Sequence, residues 1–141
     1  MDIGKIARGA GIVAAVATVL VLAAPYALVS GTGSGSGYPA QLAGYYASGT
    51  VGAAGIVLFA LVSAVVIASI ERGNLDPGSL AGVAVMLGVA TTLSAAAWTL
   101  AIEPTTMFAE FRWLEWHGRA VVAVSAAIPV AAVVYARTLL E

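Results

Sequence analysis

Residues 47–77 read ASGTVGAAGIVLFALVSAVVIASIERGNLDP, and they decide the fold class. The first part, Ala47–Ile70, carries no charge and exceeds the roughly 20 apolar residues that cross a bilayer as one helix. Turn signals follow, because Gly73 is suited to ending a helix, while Asp76 before Pro77 is suited to starting another. The stretch therefore predicts a membrane-spanning helix that returns in a tight helical hairpin.

Three more apolar runs of similar length occur, at Ile6–Val29, Leu80–Ile102 and Arg119–Leu140. The whole chain is 61% hydrophobic and 9% charged, whereas about a quarter of a soluble domain is charged. The sequence thus predicts an all-α, polytopic integral membrane protein whose residues 1–141 form a single transmembrane domain. Four spanning helices, at about 6–29, 47–70, 80–102 and 119–140, are expected to pack as an antiparallel bundle.

The basic residues predict the orientation of the chain, because four crossings place both termini on one side. The side of the termini receives Lys5, Arg8, Arg72 and Arg137, and the other side receives Arg112 and Arg119. Cytoplasmic loops carry the excess of Lys and Arg, so both termini are expected in the cytoplasm and the protein in the plasma membrane.

Small residues recur at four-residue spacing in the predicted helices and permit close helix packing, on which association in lipid depends. The packing residues expected on this basis are Ala60, Ala64 and Ala68 in the second helix, Ala84 and Gly88 in the third, and Ala123, Ala127 and Ala131 in the fourth.

Glycines and prolines interrupt the predicted helices. Four glycines crowd the outer half of the second helix and favour a kink, a close crossing or a small hinge: Gly44, Gly49, Gly52 and Gly55. Pro25 and Pro129 each free a backbone carbonyl that needs another partner, so bent helices are expected.

The connections on the outer side differ in composition. Residues 30–37 are rich in Gly and Ser and are expected to form a flexible loop. Three tyrosines that follow, Tyr38, Tyr45 and Tyr46, are expected at the outer membrane interface. The segment 104–117 is rich in Phe, Leu and Trp and predicts a short interfacial helix between the third and fourth spanning helices.

Two groups of polar residues are candidate sites. A binding or proton-handling surface site would use Glu110, Arg112, Glu115, His117 and Arg119, with an Arg112–Trp116 cation–π contact and a Glu115–Arg119 ion pair. Alternatively, these residues form an aromatic belt whose charges reach the interface and anchor the fourth helix. A lined cavity would use Thr91, Thr92, Ser94 and Trp98, unless these hydroxyls bond to carbonyls of their own helix.

Several classes of function are excluded or left without support. The absence of Cys excludes disulfides and thiolate sites. Six Lys and Arg cannot form a surface that tracks nucleic-acid phosphates. A single His with scattered carboxylates gives no support for a catalytic, metal or cofactor site. We therefore expect no enzyme activity, no metal and no cofactor.

Short features of the chain resemble uncharacterised small four-helix membrane proteins of haloarchaea. They are Pro25-Tyr26, Gly44-Tyr45-Tyr46, the hairpin from Arg72 to Asp76-Pro77, and Ala97-Trp98. The resemblance implies an archaeal plasma membrane and carries over no activity and no functional residues.

The sequence favours a small integral membrane subunit or scaffold, in contact with the lipid bilayer and with other membrane subunits or copies of itself. Its basis is the lack of ionisable residues at mid-depth together with the small-residue rows. A channel or facilitator for a small neutral or weakly polar solute is the alternative.

Overall fold

The computed structural model describes residues 2–30, 38–102 and 111–141, and the regular structure in these ranges is helical. The helices are α1 (Ile3–Ser30), α2 (Tyr38–Ala47), α3 (Gly52–Ser69), α4 (Pro77–Ala101) and α5 (Leu114–Thr138), with a 3-10 turn at Ile70–Arg72 after α3. Four of them, α1, α3, α4 and α5, are long and apolar enough to cross a membrane. The predicted all-α character and the four predicted long apolar helices agree with this architecture.

The second predicted span, 47–70, corresponds to α3, and α2 precedes it as a separate helix. Residues 48–51 separate α2 from α3. Gly49 within this segment and Gly52 at the start of α3 have positive φ, 80° and 63°. Residues with a Cβ rarely adopt this conformation, so glycine is favoured at both positions. Where a kink, a close crossing or a small hinge was expected, the structure shows a non-helical segment between two helices.

The turn between α3 and α4 follows the predicted punctuation. Gly73 adopts φ 72° and ends the 3-10 turn, while Asp76 precedes α4 and Pro77 opens it. The Asp76 carboxylate accepts a hydrogen bond of 2.7 Å from the Ser79 amide, one of the four N–H groups without a partner at a helix start. That hydrogen bond lowers the pKa of Asp76.

Contacts at one end of the molecule bring together residues distant in sequence. The Arg8 guanidinium of α1 pairs with Glu71 beyond α3, and Gly4 lies against Thr138 at the end of α5.

The core of the molecule contains two apolar clusters of buried side chains. One contains Ala15, Ala60, Ile67, Ala84 and Ile128, and the other, toward α2, contains Leu22, Tyr45, Ile56, Trp98 and Val121.

Close helix crossings join α4 to α5 at two levels. A Cβ added at Gly88 would lie 2.7 Å from the Pro129 nitrogen, and one added at Gly118 would lie 2.7 Å from Cγ2 of Thr99. Neither position has room for a side chain. Glycine at both positions therefore permits the contact between the two helices.

The residues expected to pack between helices divide into three groups. Ala60, Ala84, Gly88 and Ala131 are buried, Ala64 and Ala68 are half-buried, and Ala123 and Ala127 face outward. The inward positions of α5 are taken by Val121, Ser125, Ile128 and Ala132 instead. The four-residue row drifts around the helix because a turn contains 3.6 residues, so its first members leave the buried face.

The predicted connections are described in part. Residues 31–37 of the expected flexible loop, residues 104–110 of the expected interfacial helix and the side chain of Tyr38 lie outside the described residues. Residues 114–117 belong to α5, which begins at Leu114, earlier than the expected 119. Tyr45, expected at the depth of the interface, is 0% exposed, and its hydroxyl has a partner inside the protein.

Candidate functional site

Aromatic and histidine side chains lie buried together where α2 packs against the long helices. We call four of them the Tyr–His–Trp cluster: Tyr45 and Tyr46 of α2, Trp98 of α4 and His117 of α5. Tyr45, Trp98 and His117 are 0%, 1% and 5% exposed, and Tyr46 is half-buried. The cluster faces α1 beside the buried ring of Pro25.

Pro25 creates a gap in the hydrogen bonds of α1 that His117 fills. Proline has no N–H, so the carbonyl four residues earlier, that of Val21, loses its helical partner. The Nε2 atom of His117 lies 2.7 Å from this carbonyl oxygen. A side chain from α5 thus supplies the hydrogen bond that Pro25 removes from α1.

Tyr46 acts at the next position along the same turn. Its hydroxyl donates a hydrogen bond of 2.8 Å to the Leu22 carbonyl and accepts one of 3.2 Å from the Tyr26 amide. In an uninterrupted helix, Leu22 and Tyr26 are the two residues that bond to each other. The hydroxyl therefore bridges the donor and the acceptor where Pro25 disturbs the turn.

The hydrogen bonds of His117 determine its protonated nitrogen. A backbone carbonyl accepts and never donates, so Nε2 carries the hydrogen that points to Val21. In the neutral ring Nδ1 is then an acceptor, and the Tyr45 hydroxyl donates to it at 2.7 Å. Burial raises the pKa of Tyr45, which keeps the proton that it donates. Both nitrogens of the neutral imidazole are used within the protein.

Trp98 ties α4 to the end of α2. Its indole N–H donates a hydrogen bond of 3.1 Å to the carbonyl of Tyr45, one of the last carbonyls of α2, which have no helical partner. The Trp98 ring also meets those of Tyr45 and His117 edge to face, with centroid distances of 5.2 and 5.8 Å. This geometry is favourable for aromatic pairs.

The chemistry of this arrangement is that of a structural network. The imidazole is held between a phenol and a backbone carbonyl, so a substrate or a metal would first have to displace one of them. No group of three His, Asp or Glu side chains able to hold a metal occurs in the ranges 2–30, 38–102 and 111–141. The cluster joins α1, α2, α4 and α5 by direct hydrogen bonds.

The helical periodicity of α5 separates the residues of the predicted surface site from one another. Arg112, Glu115 and Arg119 are exposed, whereas His117 points inward. Glu110 lies outside the described residues. Among the described residues, the structure thus does not bring His117 together with Arg112, Glu115 and Arg119.

The aromatic contact of this surface also differs from the expected one. The Arg119 guanidinium lies 4.9 Å from the centroid of the Trp116 ring, three residues earlier on the helix, where side chains are neighbours. Within the described ranges, the ion pairs are Lys5–Asp2 and Arg8–Glu71, and Glu115 and Arg119 form none. Arg119, rather than Arg112, makes the cation–π contact.

The predicted cavity residues of α4 fall on different faces. Thr91 and Trp98 are buried, and Thr92 and Ser94 are half-buried. The hydroxyls of Thr91 and Thr92 donate to the carbonyls of Leu87 and Gly88, at 2.7 and 3.1 Å. These hydroxyls make the bonds within their own helix that were the alternative to a polar lining.

The sequence analysis did not predict the bonds of His117 to Tyr45 and to the Val21 carbonyl. The sequence nevertheless contained a signal for the second bond. Pro25 predicted a carbonyl in need of a partner, and the chain has a single His. What the sequence lacked was the register that brings position 117 to position 21.

The comparisons with known proteins identify a family and no activity. No curated protein and no solved structure gives a significant match to the chain. A family model matches residues 1–140, which is nearly the whole length. The chain belongs to DUF7548, a family of unknown function.

Proposed function

We propose that this protein is a small integral membrane subunit or scaffold without catalytic chemistry of its own. In this proposal α1, α3, α4 and α5 cross the bilayer as an antiparallel bundle, and an outward face receives a helix of a partner subunit or of a second copy. The supporting observation is an apolar groove of small residues between α1 and α5.

This α1/α5 groove encloses about 330 Å³ and is open to the outside. It is lined by Ala10 and Ala127 together with larger residues that include Ile6 and Val130. Small residues between larger ones suit the close approach of another helix, and association within lipid relies on such packing. Ala127, which faces outward, belongs to one of the rows that sequence reasoning singled out for this purpose.

The internal use of the buried hydroxyls also supports a packing role. Four that are buried in the long helices donate to backbone carbonyls of their own helix: Thr18, Ser63, Thr91 and Ser125. Such bonds satisfy the hydroxyl without water. A solute pathway, in contrast, needs polar groups that are free to exchange partners.

Replacing Ala127 by Leu tests the use of the α1/α5 groove. The tagged protein is purified from its native membrane in mild detergent, with mass spectrometry for co-purifying chains and light scattering for mass. We expect Ala127→Leu to reduce the complex, because the added methyl groups occupy the groove. Ala97→Leu, at an exposed position of α4, is the matched control. An unchanged complex with Ala127→Leu would exclude this surface.

The same preparation separates the proposal from the channel alternative. A monomer without partners, combined with solute flux in vesicles that a bulky substitution of Thr92 blocks, would overturn the subunit role. A stoichiometric partner without flux would support it.

The proposed location is a plasma membrane, archaeal by the resemblance noted above, with both termini in the cytoplasm. A Cys at Asn74, exposed between α3 and α4, should react with an impermeant thiol reagent after lysis and not in intact cells. Labelling in intact cells would reverse the orientation.

A further inference from the structure

A second outward groove runs between α4 and α5. It encloses about 330 Å³, and its lining includes Val85 and Val89 of α4, together with Pro129, Val133 and Arg137 of α5. All but the last are apolar. It therefore differs from the α1/α5 groove, whose described lining contains no charged residue.

The length of this α4/α5 groove matches one leaflet of a membrane. Pro129 and Arg137 are eight residues apart, which corresponds to about 12 Å along a helix. Half of a typical hydrocarbon core is roughly 15 Å. An apolar groove of this length along α5 fits a single hydrocarbon chain of one leaflet.

Arg137 gives the groove a charged end. It is exposed in the last turn of α5. In the described part of the chain it forms no ion pair, even with Glu141 four residues later. An arginine fork binds phosphate oxygens through two parallel N–H bonds. Phosphate groups of lipids lie at the depth where a spanning helix ends.

We infer that the α4/α5 groove binds a phospholipid with a net negative headgroup, its phosphate on Arg137 and one chain along Val85, Val89 and Val133. The inference rests on the membrane location proposed above, and it is independent of the proposed assembly. The lipid belongs to the leaflet on the side of the termini. Charge complementarity at Arg137 together with the apolar walls selects this occupant.

The test measures lipid retained by the full-length protein. Purified protein is titrated with phosphatidylglycerol or with phosphatidylcholine of the same chains, and bound lipid is counted by native mass spectrometry. We expect the protein to retain one phosphatidylglycerol molecule and to bind it about fivefold more tightly than phosphatidylcholine. One cationic side chain near anionic lipid contributes about 1 kcal/mol, which corresponds to this ratio. Arg137→Gln should abolish the preference. Arg72→Gln, an exposed arginine outside the groove, should keep it.

A second pair of variants tests the position of the chain. Val133→Trp fills the groove and should reduce retention of both lipids, while Val83→Trp, an exposed position of α4 outside the groove lining, should not. Circular dichroism checks that each variant keeps its helix content. Equal retention of the two lipids by the native protein, a preference that survives Arg137→Gln, or unchanged binding by Val133→Trp would each overturn the inference.

Discussion

The imidazole of His117 donates a hydrogen bond of 2.7 Å to the carbonyl oxygen of Val21, the carbonyl that Pro25 leaves without its helical partner. A proline in the interior of a helix costs about 3 kcal/mol or more when nothing compensates for the lost bond. Here α5 compensates directly, and Tyr46 of α2 bridges the adjacent donor and acceptor. The hydrogen bonding of α1 around Pro25 and the position of α5 are therefore coupled.

Replacing His117 by Phe should destabilise the protein. The substitution removes the hydrogen bond to the Val21 carbonyl and the acceptor that the Tyr45 hydroxyl uses on His117, which should lower the free energy of unfolding by about 1–3 kcal/mol. Unfolding in mixed micelles measures this quantity. Trp116→Phe, at an exposed neighbour, should change it by less than about 0.5 kcal/mol. Equal effects of the two substitutions would contradict the structural role of His117.

The same bond predicts that Pro25 and His117 are energetically coupled. Pro25→Ala restores an amide that bonds to the Val21 carbonyl, so this carbonyl no longer depends on His117. In that background His117→Phe should cost less than in the native protein, by about 1 kcal/mol in a double-mutant cycle. Additive effects would show that the imidazole stabilises the protein independently of the hydrogen bond that Pro25 removes from α1.

The crossing of α4 and α5 at Gly88 predicts a position that accepts no side chain. A Cβ at Gly88 would lie 2.9 Å from the backbone Cα of Pro129, so Gly88→Ala should separate the helices and lower the free energy of unfolding by about 1–3 kcal/mol. Gly82→Ala on the same helix faces open space. It should raise this free energy by up to about 1 kcal/mol, because Ala favours helix. The reverse order would refute the close crossing.

Protonation of Asp76 should weaken the start of α4 locally. Its pKa is lowered in the folded protein by the hydrogen bond from the Ser79 amide. Its contribution is therefore complete above the pKa of the unfolded chain and is lost as the pH falls through the folded value. The protection factor of the Ser79 amide, which is the intrinsic exchange rate divided by its observed rate at the same pH, should fall on acidification. In Asp76→Asn, whose amide oxygen caps without titrating, the fall should be smaller. Identical acid profiles would contradict this assignment.

Local signals in the sequence were sufficient for the long helices and the α3–α4 turn. Each apolar run is contiguous, and Gly73, Asp76 and Pro77 act on neighbouring backbone groups, so their effect depends little on the rest of the fold. Charge-free length likewise predicted the four helices that can cross a membrane.

Tertiary register accounts for what the sequence did not predict. The glycines of the second helix were compatible with a kink, a close crossing or a small hinge, and the structure instead places Gly49 and Gly52, both with positive φ, where α2 gives way to α3. His117 was grouped with the charged residues near it in sequence, yet helical periodicity turns it toward α1. Neither choice follows from composition or from spacing along one segment.

The bond between His117 and Val21 can form only late in the synthesis of the protein. The two residues are 96 positions apart, so α1 leaves the ribosome long before its imidazole partner has been translated. Until then the Val21 carbonyl needs another hydrogen-bond donor. α5 therefore completes the hydrogen bonding of α1. A chain truncated before position 117 would leave the Val21 carbonyl without its imidazole donor.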